Sequence, residues 1–142
     1  MEDTRYGLRV EVPVSYGRAV ERATAALKRE GFGVLTTIDV QATLQQKLDV
    51  EIPPYTILGA CNPPLAHRAL SAEPEIGLLL PCNVIVYTAA TGATTISAID
   101  PESQFALVQR ADLAALAQEV GARLRRALAH LPVLESPGTH TA

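Results

Sequence analysis

Tyr55-Thr56-Ile57-Leu58-Gly59-Ala60-Cys61-Asn62-Pro63-Pro64-Leu65-Ala66-His67-Arg68-Ala69-Leu70 is the stretch from which the fold is read. The apolar run Tyr55 to Ala60 predicts a strand, and it passes through Cys61 straight into Asn62, a residue suited to capping a helix. Pro63 then fits the first helical position, where a missing N–H costs nothing. The predicted short helix carries Leu65, Ala66, Ala69 and Leu70 and closes at Glu73-Pro74-Glu75.

Working outward toward the N-terminus, Leu8, Val10 and Val12 alternate with Arg9 and Glu11, the period of a half-buried strand over 7–12. Ser15 caps a predicted helix with Tyr16, Val20, Ala23 and Leu27 on its apolar face, and Gly31 stops it. Phe32 to Ile38 reads as the next strand, giving a βαβ opening. Val40, Leu44 and Leu48, spaced by four behind Asp39, predict a short amphipathic helix that Pro53-Pro54 cannot extend.

Toward the C-terminus, the apolar stretch Ile76 to Val86 reads as core strand, and Cys82 to Thr88 as the fourth strand, with Val84 and Val86 on one face. Thr91-Gly92 marks a hairpin turn before a strand over Ala93 to Ile99, and Asp100-Pro101 ends the sheet. A long helix over about 112–131 sets Leu113, Leu116, Val120, Leu124 and Leu128 on one stripe, opposite Gln118, Glu119, Arg123 and Arg126. The prediction is α+β: a single compact domain over 1–132, with a mainly antiparallel sheet of about five strands. The long C-terminal helix packs on one face, and residues 133–142 form a flexible tail.

Composition limits what such a domain does. The chain has 142 residues, 48% of them hydrophobic and 19% charged, which is too apolar for a disordered segment. A net charge of -3 and an aromatic content of 4% argue against a nucleic-acid partner, which calls for a basic face or stacking rings. Ile76 to Val86 falls well short of the roughly 20 apolar residues of a membrane helix, so no membrane partner is expected. Met1 to Arg5 lacks a basic start and an apolar h-region, which makes the cytoplasm the expected location. The nucleotide fingerprints G-x-x-x-x-G-K-[ST] and G-x-G-x-x-G and the hydrolase elbow G-x-S-x-G are missing. Whether the protein is an enzyme is left undecided, and no cofactor is indicated.

The run Gly59 to Leu70, then Glu73-Pro74, then Leu79-Leu80-Pro81-Cys82-Asn83-Val84, resembles the family catalogued as domain of unknown function 302. Gly31-Phe32-Gly33-Val34-Leu35 and Ile99-Asp100-Pro101 fit as well, so the resemblance spans about Tyr6 to Leu131. It implies a compact α+β domain, able to form a homodimer, with its shared residues gathered around the two cysteine segments. It implies no activity.

The candidate site consists of Cys61, Asn62, Pro63, His67 and Cys82. Antiparallel pairing of the two cysteine strands would bring both thiols to one end of the sheet. Cys61 also precedes a helix N-terminus, whose dipole favours a thiolate, and His67 follows inside that helix as a candidate base. The competing reading is plain: free cysteine packs as a small hydrophobe, and Asn62-Pro63 is an ordinary helix start. His67 beside Arg68 also reads as a surface residue.

Three functions stay open. The leading one is a small cytoplasmic binding or interaction domain with a pocket around Cys61, Asn62 and Cys82, a small molecule being a candidate ligand. The second is thiol redox or sulfur handling, with Cys61 as nucleophile and Cys82 as partner. The third is a metal or haem held across a dimer by Cys61, His67 and Cys82, since one chain offers no C-x-x-C or H-x-x-x-H pair.

Overall fold

In the computed structural model, residues 1–133 are described. The expected tail, 133–142, lies outside them except for Val133. Six strands form one sheet: β1 (Glu2–Asp3), β2 (Gly7–Val12), β3 (Gly33–Asp39), β4 (Tyr55–Cys61), β5 (Cys82–Thr88) and β6 (Thr94–Ile99). Their order is β1-β2-β6-β5-β4-β3, and every neighbouring pair is antiparallel. The helices are α1 (Tyr16–Arg29), α2 (Val40–Leu48), α3 (Pro63–Ala72), α4 (Pro101–Phe105) and α5 (Ala111–Ala129). The α+β class, the antiparallel sheet and the long C-terminal helix are as the sequence predicts.

The sheet register explains the core. Thr56, Val86, Ile96 and Val10 line up across four strands, and Leu58, Val84, Ala98 and Leu8 form the next row. Alternation sends both rows to one face, where α1 packs on the sheet and buried residues of α3 and α5 complete the core. The Thr56 hydroxyl in this core is satisfied by a hydrogen bond with the Tyr16 hydroxyl. From α5, Leu113, Leu116, Val120, Leu124 and Leu128 are all buried, so the predicted stripe is the packed one, each leucine contributing about 1.5–3 kcal/mol. The opposite face carries Arg9, Tyr55, Asn83, Tyr87 and Ser97, none of them buried, with Tyr55 and Tyr87 stacked at 5.4 Å.

Several expectations need correction. The sheet has a sixth strand, β1, pairing Glu2 with Arg9 and Asp3 with Leu8; two charged residues carry no alternation from which to predict it. The βαβ opening holds in chain order, but β2 and β3 lie three strands apart, because β6, β5 and β4 insert between them. Pro74–Leu79 is a 3-10 helix rather than strand. Pro74 opens it, and the Glu73 carboxylate accepts from the Glu75 N–H at 3.3 Å. Asp100-Pro101 does end the sheet, but it also starts α4, whose first turn Asp100 caps by accepting from the Glu102 N–H at 3.1 Å. The buried stripe of α1 is Ala19, Ala23, Ala26 and Leu27, with Tyr16 and Val20 half-buried at its margin. The Asp39 cap of α2 is as expected, but no residue of this helix is buried, and Leu48 is 66% exposed. Among the described residues, no helix is long and apolar enough to cross a membrane.

Candidate functional site

Strand β4 delivers Cys61 to the point where the chain turns into α3, and β5 begins at Cys82. The antiparallel register brings both to one end of the sheet, but the thiols do not oppose each other across a rung. Cys82 faces Ala60, while Cys61 faces Gly33 on β3. Both cysteines are free.

Beside them lies a cavity of about 330 Å³. Its sheet wall is Leu35, Thr36, Ala60, Cys61, Leu80, Pro81 and Cys82. Its helical wall comes from Leu65, Ala66, Ala69 and Leu70 of α3 and from Leu116 and Val120 of α5, and Phe32 and Phe105 also line it. The small residues Ala66 and Ala69 on α3 leave the space, because neither side chain reaches the sheet as a leucine would. No Lys, Arg, His, Asp or Glu contributes to the lining.

Cys82 is 6% exposed, and burial, with a smaller contribution from the nearby Cys61, pushes its thiol up to about 11. It is therefore a neutral S–H at physiological pH. Asn62 also borders the cavity but is 8% exposed and has both ends of its amide engaged. Its Oδ1 accepts from the Leu65 N–H at 3.3 Å, capping α3, and its Nδ2 donates to the Glu30 carbonyl at 3.4 Å, at the end of α1. The turn that makes this possible passes through Gly31 at φ 86°, where an added Cβ would come within 2.9 Å of Asn62 Nδ2. Asn62→Ala is expected to lower stability by about 1–3 kcal/mol, from a lost cap and one lost hydrogen bond. Denaturant titration checks it, and an unchanged midpoint would remove the structural role.

The remaining predicted site residues lie elsewhere. Pro63 and His67 are exposed and do not line the cavity, so the structure does not bring His67 to the thiols as a base. Among the described residues, no three of His, Cys, Asp and Glu are gathered as a metal-binding group. The arginines of α5 form a paired solvent face, as their spacing suggests. Arg123 meets Glu119 at 3.7 Å, Arg125 meets Asp3 at 2.8 Å, and Arg126 meets Glu30 at 2.7 Å. Sequence reasoning missed the cavity walls from β3, α3 and α5, whose apolar residues differ in no local signal from core.

Residues 8–131 match the family model described as domain of unknown function DUF302. The chain belongs to the DUF302 family. A solved DUF302 relative, an uncharacterised conserved protein from Bacillus stearothermophilus, shares 31% identity with it. The likeness covers 89% of this chain and 98% of that one, with a TM-score of 0.83. No curated protein matches. The DUF302 match spans β2 through the end of α5, so it contains every wall of the cavity.

Proposed function

We propose that this protein is a small-molecule-binding domain whose ligand occupies the cavity at the Cys61 end of the sheet. The observation that carries the reading is the cavity itself, about 330 Å³ of space beside the buried core, with walls that are almost wholly apolar. Ligand sites are concave, mostly apolar and within a range of about 300–1,000 Å³. A cytoplasmic setting belongs to the same proposal.

Thiol chemistry is the weaker reading. A resolving partner must present a thiolate, and Cys82, buried and protonated, is poorly suited to that. The half-exposed Cys61 is left as the more accessible thiol.

A thermal-shift screen of small metabolites tests the proposal. A true ligand at about a hundred times its Kd stabilises the fold by about 2.7 kcal/mol, and it should also slow alkylation of Cys61 by iodoacetamide. A screen in which stabilising compounds leave Cys61 alkylation unchanged, or in which none stabilises, would overturn it.

A further inference from the structure

We infer that the ligand of this cavity is an uncharged, largely apolar small molecule, and that carboxylates, phosphates and nucleotides are excluded from it. The inference rests on the cavity being a ligand site and specifies what that site accepts. An anion brought here would have to find a countercharge or a set of N–H donors, and the cavity provides neither. Its walls carry no Lys, Arg or His. The obvious donors would be the first-turn amides of α3, which a helix normally leaves unpaired. In this helix the first two positions are Pro63 and Pro64, which have no N–H. The next two amides are already used: Leu65 N–H donates to Asn62 Oδ1 at 3.3 Å, and Ala66 N–H donates to the Asn62 carbonyl at 2.9 Å. Asn62 Nδ2 gives one of its two N–H groups to the Glu30 carbonyl at 3.4 Å, which leaves a single neutral donor, too little to hold an anion. A helix terminus that would otherwise attract anions is closed off by its own sequence.

Leu35 and Leu70 leave the cavity open to solvent on one side, but a charge drawn between the apolar walls would go unpaired at a cost far above what apolar contact returns, whereas a neutral chain or ring loses nothing by leaving water. An apolar cavity of about 150 Å³ already admits benzene, so about 330 Å³ accommodates a longer aliphatic chain or a larger ring. Leu35 and Leu70 line the cavity and are 68% and 41% exposed, so the approach is as apolar as the interior. Thr36 is the one hydroxyl in the lining, enough to meet a single alcohol or carbonyl oxygen.

The test uses the full chain and two probes of matched length, 1-decanol and decanoate, followed by amide chemical-shift titration at pH 7. Decanol is expected to saturate and to shift the amides of α3 and β4, with decanoate at least tenfold weaker. Ala66→Phe, which fills the cavity, should weaken decanol at least tenfold. Leu70→Trp, at an exposed position on the rim, should weaken it also and guards against misfolding of the first variant. Decanoate binding as tightly as decanol at the same amides would overturn the neutral-ligand inference while leaving the cavity a ligand site. Failure of both probes, or decanol binding unchanged in both variants, would overturn the inference together with the site.

Discussion

Gly59→Ala is expected to destabilise the protein by about 3 kcal/mol, the upper end of what overpacking a core costs. Gly59 is buried in β4, opposite Thr36 on one side and Asn83 on the other. A Cβ built on it runs into the Thr36 hydroxyl and lies 3.0 Å from Pro81 Cγ. Neither neighbour yields easily: a β-branched side chain has few χ1 alternatives, and a proline ring has none. The pairing of β3 with β4 shifts register between Val34 and Thr36, so the irregularity that brings Thr36 over Gly59 is local. The Thr36 Cβ would lie at 3.5 Å, an ordinary contact, so removing only the hydroxyl and methyl should relieve most of the clash. Thr36→Ala is therefore expected to rescue part of the loss, appearing as a non-additive term in a double-mutant cycle by urea denaturation. A neutral Gly59→Ala, or strictly additive variants, would show that this close approach does not exist.

The second large effect is alkaline. Burial raises the Cys82 thiol from its ordinary 9.0 to about 11 in the folded protein. Below pH 9 the thiol is protonated in both the folded and unfolded states and contributes no pH dependence. Between about 9 and 11 the unfolded chain releases the proton while the folded one retains it, so stability falls as pH rises. At about 1.4 kcal/mol per pH unit the loss approaches about 2–3 kcal/mol by pH 11, where the folded thiol also ionises and the slope ends. The measurement is a comparison of the wild type with Cys82→Ala, which isolates the thiol from every other group. The wild type should lose stability more steeply from pH 9 to 11. Parallel curves would mean that Cys82 is not held neutral by burial.

Most of the architecture can be read locally. The Ser15, Asp39 and Asn62 caps, the αL glycine at 31 and the leucine stripe of α5 each announce an element through chemistry confined to a few residues. What could not be read is non-local. Nothing near β3 indicates that three strands separate it from β2, because sheet order is set by long-range pairing. Glu2–Asp3 becomes a strand only because β2 offers it an edge. The site follows the same division. Cys61 and Asn62 adjoin in sequence, Cys82 follows from the pairing expected of their strands, and all three border the cavity. His67 is near Cys61 in sequence, but it lies on an exposed part of α3. The spacing of Leu116 and Val120 predicts their burial, yet a stripe of apolar residues cannot reveal that part of it faces a cavity.

Glu30 gives the Asn62 bracket a wider meaning. Its backbone carbonyl accepts from Asn62 at the start of α3, and its carboxylate accepts from Arg126 near the end of α5. One residue at the end of α1 thus closes a ring through segments 32 and 96 positions away along the chain. Two of the three helices in that ring wall the cavity. The spacing of the cavity's helical walls thus rests in part on a residue that does not line it: the end of α1 ties the first turn of α3 to the last turns of α5.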